Sequence, residues 1–184
     1  MSDMILDEPS LEAWKPKFGA WIKEAMPFFK EGKGKEAFAK YPWFTTEGEP
    51  FTRLTKPAKE ARFALVTTGG YTIDGVQEPF VPTPQFGEVA AEIHAIPLDV
   101  DRSKLRIDHV GYDHRFAKED INVNLPLDRL SELVEQGEIG SLASDTQVLM
   151  GLMPNVATVL NDLIPALVEK FKADDIEAVL LVPS

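Results

Sequence analysis

Two short stretches hold side chains able to do chemistry. Thr67-Thr68-Gly69-Gly70 offers two hydroxyls and two glycines, which let a ligand approach the backbone. Asp108-His109-Val110-Gly111-Tyr112-Asp113-His114 places two imidazoles and two carboxylates within seven residues, and Asp120, Asn122 and Asn124 follow closely. His109 can carry positive charge toward an anion or relay a proton. Asp113 and Asp120 suit an ammonium group, while Thr67, Thr68, Asn122 and Asn124 suit hydrogen bonds to a small polar ligand. Each has a plainer reading. The first stretch fits neither the Gly-x-Gly-x-x-Gly fingerprint nor a P-loop, so a simple turn explains it equally well. Asn124 reads as a cap for the helix beginning near Pro126, while Asp120 and Asn122 share one side of an extended segment.

The string "HVGYDH" matches the His-x-His-x-Asp-His ligand pattern of metallo-β-lactamase-like hydrolases, with Gly111 where the second histidine belongs. The only other histidine, His94, lies upstream, and zinc asks for three or four side-chain ligands. No metal site is expected. A hydrolase relative using His109, Asp113 and His114 remains as an alternative.

The elements that must position these residues are legible from pattern. "RFALVTTGG" (62–70), "KLRIDHVGYDH" (104–114), "SLASDTQVLMG" (141–151) and "IEAVLLVPS" (176–184) read as four strands, the last a fully buried one. "PLDRLSELVEQG" (126–137) reads as a helix with Pro126 at its first turn and Gly137 at its end. Val156, Val159, Leu160, Leu163, Ile164, Leu167, Val168 and Phe171 follow helical spacing, with Pro165 placed to kink that helix. Strands alternating with helices predict an α/β fold, a partial parallel sheet with Rossmann- or flavodoxin-like crossovers plus N-terminal helices. In such a sheet, ligands bind at the carboxyl ends of the strands. Those ends carry Thr67–Gly70, His109–His114, Met150-Gly151 and Pro183-Ser184.

Ahead of the sheet, Trp14, Phe18, Trp21, Ile22 and Ala25 mark an amphipathic helix expected to break at Pro27 and to pack its aromatics onto the main domain. Residues 41–60 read as a linker, giving a helical extension over 1–50 and an α/β domain over 51–184. Residues 71–103, rich in proline, read as a long functional flap.

Composition narrows the function. The first 60 residues carry ten basic and ten acidic side chains, so the net charge of −11 arises entirely from 61–184. That balance argues against nucleic acid or an anionic membrane as partner. The chain has no cysteine, so it supplies no thiol or zinc-thiolate chemistry itself. No signal sequence or membrane span is recognisable, and a cytoplasmic location is expected.

"FTRLTKPAKEARFALVTTGG", "DHVGYD" followed by "EDINVNLPLDRLSELVEQGEIGSLA", and "IEAVLLVPS" together resemble the glycine/sarcosine/betaine/D-proline reductase selenoprotein B family. The likeness covers about residues 51–184 and is most specific from Asp120 to Ala143. It implies reductive cleavage of a carbon–nitrogen bond in a small amino acid or betaine, with a thiol electron donor. It also implies that "AVLLVPS" runs into a redox motif, selenocysteine or cysteine followed two residues later by cysteine. The expectation is that Ser184 directly precedes a selenocysteine codon read as stop, so that the nucleophile lies downstream and this chain alone is inactive. The resemblance makes His109 and Asp113 the catalytic candidates. It makes Thr67, Thr68, Gly69, Gly70, Asp120, Asn122, Asn124 and Ser184 the substrate-binding ones. A non-catalytic binding or assembly subunit is the alternative, and self-association through the bare sheet edge or the 156–171 helix is expected.

Overall fold

The computed structural model describes residues 8–44, 52–80, 92–151, 153 and 155–184. Parts of the expected linker (45–51) and flap (81–91) lie outside the described residues. The chain divides into two compact units, one helical and one α/β.

In the helical unit, α1 spans Glu8–Lys30 and α2 spans Gly34–Phe38. The expected break at Pro27 does not occur; α1 continues to Lys30 with Pro16 and Pro27 inside it. Each proline removes a helix hydrogen bond, a cost of about 3 kcal/mol in an isolated helix interior. Burial of Trp14, Trp21 and Ala25 along one face works against that cost. The aromatic stripe finds partners in its own unit. Trp21 packs edge-on against Phe29 and Tyr41, and its Nε1–H donates to Ala37 O at 2.8 Å. Trp14 stacks on Phe18 at 4.8 Å and donates to Pro42 O. Two indoles need acceptors as well as apolar neighbours, and α2 and the residues after it supply both.

The α/β unit is built on β1 (Arg62–Thr67). After it come β2 (Tyr71–Ile73), β3 (His94–Pro97), β4 (Leu105–Ile107), α3 (Arg115–Glu119) and α4 (Leu127–Glu135). Then follow β5 (Ser141–Leu142), β6 (Asp145–Val148), α6 (Ile164–Ala173) and β7 (Ala178–Val182), while α5 (Val156–Thr158), which precedes α6 in the chain, belongs to the helical unit. β5 and β6 pair in parallel with successive halves of β1, β7 pairs in parallel with β1, and β3 joins β6 antiparallel. The result is an α/β fold with a mixed, mostly parallel sheet.

The expected second strand is the exception. β4 does not enter this sheet but pairs antiparallel with β2. Gly70, at φ +63°, turns the chain immediately after β1, which removes Tyr71–Ile73 from the sheet. Arg106 in the middle of β4 bonds Asp74 and Asp108, and such a side chain does not suit a strand covered on both faces. The supposed flap thus contributes two strands, β2 and β3, each too short to show periodicity.

α4 forms as expected, burying Leu127 and Leu130, with Gly137 at φ +72° after its end. Pro165 does not sit in an uninterrupted α-helix. A π-helical turn, Val159–Leu163, lies between α5 and α6, and the proline falls in the first turn of α6, where a missing N–H costs little. The core gathers Leu65, Tyr71, Ile96, Leu125, Leu127, Leu130 and Val148. β7, expected to be fully buried, pairs only with β1 among the described residues and leaves Val179, Leu180 and Leu181 exposed.

Candidate functional site

The parallel strands β1, β6 and β7 end side by side, with Thr67 in register with Val148 and with Val182. Immediately beyond, Thr68 N–H donates to Val182 O at 3.1 Å, and Thr68 Oγ accepts from Ser184 N–H at 3.0 Å. These two bonds hold Ser184 against the end of β1. Gly70 N–H donates to Leu149 O at 3.0 Å, and Asp108 N–H to Gly70 O at 2.8 Å. The second of these delivers His109 to the same edge.

His109 is only 5% exposed. Its Nδ1 accepts from Gly111 N–H at 2.8 Å, while its Nε2 is buried without a hydrogen-bond partner among the described residues. Glycines close around it. A Cβ on Gly70 would come within 2.9 Å of the His109 Cβ, one on Gly111 within 2.7 Å of Cε1, and one on Gly151 would collide with Nε2. Burial lowers the His109 pKa below the ordinary imidazole value, and nearby His114 lowers it further. The His114 Nε2 hydrogen-bonds the His109 carbonyl.

Below this edge lies a buried polar network. Thr67 Oγ donates to Asn124 O at 2.6 Å and accepts from Gly69 N–H at 3.1 Å. Tyr71 OH donates to Asn124 Oδ1, and Tyr112 OH donates to Gly69 O at 3.1 Å. Burial raises the Tyr71 pKa, with Tyr112 adding to the effect, so both phenols act as neutral donors.

The structure therefore brings together Thr67, Thr68, Gly69, Gly70, His109, Asn124 and Ser184. Three candidates lie apart from that cluster. Asp113 is exposed and bonds Arg115 at 2.6 Å, which holds its carboxyl below the usual range. Asp120 accepts from Asn122 N–H at 2.9 Å and is likewise lowered. Asn122 Oδ1 accepts from Asp128 N–H at 3.0 Å, so Asn122, rather than Asn124, secures the start of α4. The hydrolase-like string also separates: His109, Asp113 and His114 each face a different partner. Among the described residues no three His, Cys, Asp or Glu side chains gather as a metal would require.

Sequence reading missed three neighbours. Tyr71 follows the Thr-Gly stretch directly, a position that signals proximity. Tyr112 lies inside the noted string, its ring 4.9 Å from that of His109. His94 stands opposite Val148 at the same sheet edge and stacks on Phe80, a placement set by an antiparallel pairing that no local pattern announces.

The protein-family model described as glycine/sarcosine/betaine reductase selenoprotein B matches residues 28–184, beginning within α1 and so including α2. The chain is also similar to the glycine reductase complex component B subunit gamma of Carboxydothermus hydrogenoformans. The two are 27% identical over 151 residues, which is 81% of this chain and 34% of that protein. This chain thus spans about a third of the length of the curated relative it matches. No solved structure matches it. Among the described residues, no helix is long and apolar enough to cross a membrane. The family match covers most of the chain, including every element of the site, and the chain belongs to the glycine/sarcosine/betaine reductase selenoprotein B family.

Proposed function

We propose that this chain forms one wall of the pocket of a cytoplasmic reductase that cleaves a carbon–nitrogen bond in a small amino acid or betaine. The nucleophile, selenocysteine or cysteine, is carried by sequence following Ser184. That group supplies the electron pair that displaces the nitrogen, and two electrons from a thiol donor complete the reduction. The observation that carries the reading is the pinning of Ser184 to Thr68 at the strand ends, beside a buried His109 with an unused ring nitrogen. A residue following Ser184 starts from a fixed backbone, and fixed placement of reacting groups is a large share of catalysis. Thr68 and His109 then stand ready to donate hydrogen bonds to the substrate. Asp113 and Asp120 are proposed to meet a substrate ammonium from outside the strand-end cluster, exchanging their bonds to Arg115 and Asn122 for it. The name of the relative, a component of a glycine reductase complex, supports assembly with other subunits.

The test is a longer protein containing the sequence that follows Ser184, assayed for substrate-dependent release of ammonia or amine with a dithiol donor. His109→Ala is expected to lower turnover by roughly 10²–10³-fold, the usual loss for one preorganised donor. Unchanged turnover would remove His109 from the mechanism. At the gene level, the expectation is an in-frame TGA after the Ser184 codon with a cysteine codon beyond; a frame lacking both overturns the nucleophile assignment. A non-catalytic assembly role is the second reading, favoured by the exposed apolar edge of β7. It predicts no turnover in the longer protein together with retained subunit association.

A further inference from the structure

We infer that Gly111 is a positioning residue that locks His109 in the neutral form with its proton on Nε2, making His109 a fixed hydrogen-bond donor at the strand ends. The inference deepens the pocket reading above, but it stands on geometry that exists without substrate. A backbone N–H only donates. With Gly111 N–H directed at Nδ1 at 2.8 Å, that nitrogen must present its lone pair. The neutral ring then carries its single proton on Nε2, the buried atom without a partner. Protonating Nδ1 would set two donors face to face in a buried space, so the imidazolium is disfavoured twice, by that clash and by desolvation.

The groups around the ring do not reverse this. Tyr112 contributes a neutral phenol ring, and the nearer histidine, His114, opposes a second positive charge. Asp108, the adjacent carboxylate, is engaged by Arg106, by Thr72 Oγ and by Phe80 N–H. At the ring itself, a Cβ on Gly151 would meet Nε2 and Cδ2 and one on Gly111 would meet Cε1, and neither glycine carries a charge. Turning the ring over would set Cδ2 opposite the Gly111 N–H and leave that donor without its acceptor, so the bond itself opposes exchange of the nitrogens. The functional consequence is a choice between two roles. A locked neutral donor stabilises negative charge developing on a substrate oxygen or nitrogen, as preorganised donors do. It does not deliver a proton from an imidazolium near neutral pH.

Long-range ¹H–¹⁵N correlation of the 184-residue chain reads the tautomer directly, and loss of one set of signals in His109→Gln assigns it among three histidines. The expected result is a bare Nδ1 and a protonated Nε2, with signals that do not migrate over about pH 5–8, where an ordinary histidine titrates. In Gly111→Ala the new Cβ displaces Cε1, and His109 should show mixed tautomers and titrate within that window. Should Gly111→Ala fail to fold by circular dichroism, Gly151→Ala perturbs the ring from the opposite side while keeping the Gly111 N–H. A bare Nε2 in the native chain, or a His109 that titrates like a free imidazole, overturns the inference. So does a Gly111→Ala protein that folds with tautomer and titration unchanged. None of these outcomes depends on turnover, so they leave the reductase reading to its own assay.

Discussion

β1 and β7 read almost alike in sequence, "RFALVT" against "AVLLV", yet they end up in different surroundings. β1 is paired on both sides, and Ala64 to Thr67 are all buried. β7 is paired on one side only and leaves Leu181 69% exposed. An apolar run identifies a strand, but its depth depends on how many neighbours it finds in the sheet. β1 gains neighbours on both flanks because three later segments return to it. For β7 the described residues provide one.

Four experiments bear on that contrast. Leu65→Ala should cost about 2–5 kcal/mol in denaturant unfolding, the usual range for a buried leucine in a strand core, whereas Leu181→Ala should stay within about 0.5 kcal/mol. Similar costs at both positions would erase the distinction. The second experiment concerns association. An unpaired apolar edge attracts another strand, so the wild-type chain should sediment above its 20.4 kDa monomer mass at micromolar concentration. Leu181→Lys should return it to monomer, and a wild-type monomer would show the edge to be inert.

A third compares the two asparagines. Asn124→Ala leaves the buried Tyr71 hydroxyl without its acceptor and should cost about 1–3 kcal/mol. Asn122→Ala removes only a helix-start bond and should cost about 1 kcal/mol. The reverse order would place Asn122 in the core of the site. The smallest effect concerns acid. Because burial lowers the folded-state pKa of His109, the unfolded chain takes up that proton first as pH falls through the ordinary value of about 6.5. Stability should therefore decline below that pH until the folded pKa is reached, and His109→Gln should remove this part of the slope. A slope identical in the variant would assign the acid sensitivity to other groups.

The parts legible in the sequence were those encoded locally. α4 is announced by Pro126, its leucine spacing and Gly137, and β1 by its apolar run. The Thr-Gly stretch and Ser184 meet at one edge because the parallel strands β1 and β7 share a direction, whereas His109 reaches that edge by a different route, from β4 outside the sheet through the Asp108–Gly70 bond. What could not be read depended on pairing at a distance. β4 looks like a sheet strand until the turn at Gly70 removes its partner from the sheet. Asp113, Asp120 and Asn122 have site-like chemistry, but each finds a partner within a few residues, and such short-range satisfaction leaves no trace in residue type. The buried phenols of Tyr71 and Tyr112 became visible only through the Asn124 network.

The pairing of β1 with β7 also sets an order of events during synthesis. Arg62 and Glu177 bond across a separation of 115 residues. At roughly 5–20 residues per second, a ribosome needs on the order of ten seconds to supply the missing strand. Throughout that interval the nascent β1 has at least one open flank, and contacts of such long range form slowly even once the chain is free. The stretch "FALV" is therefore an apolar segment that waits for its neighbour, open to wrong contacts, while the protein is being made.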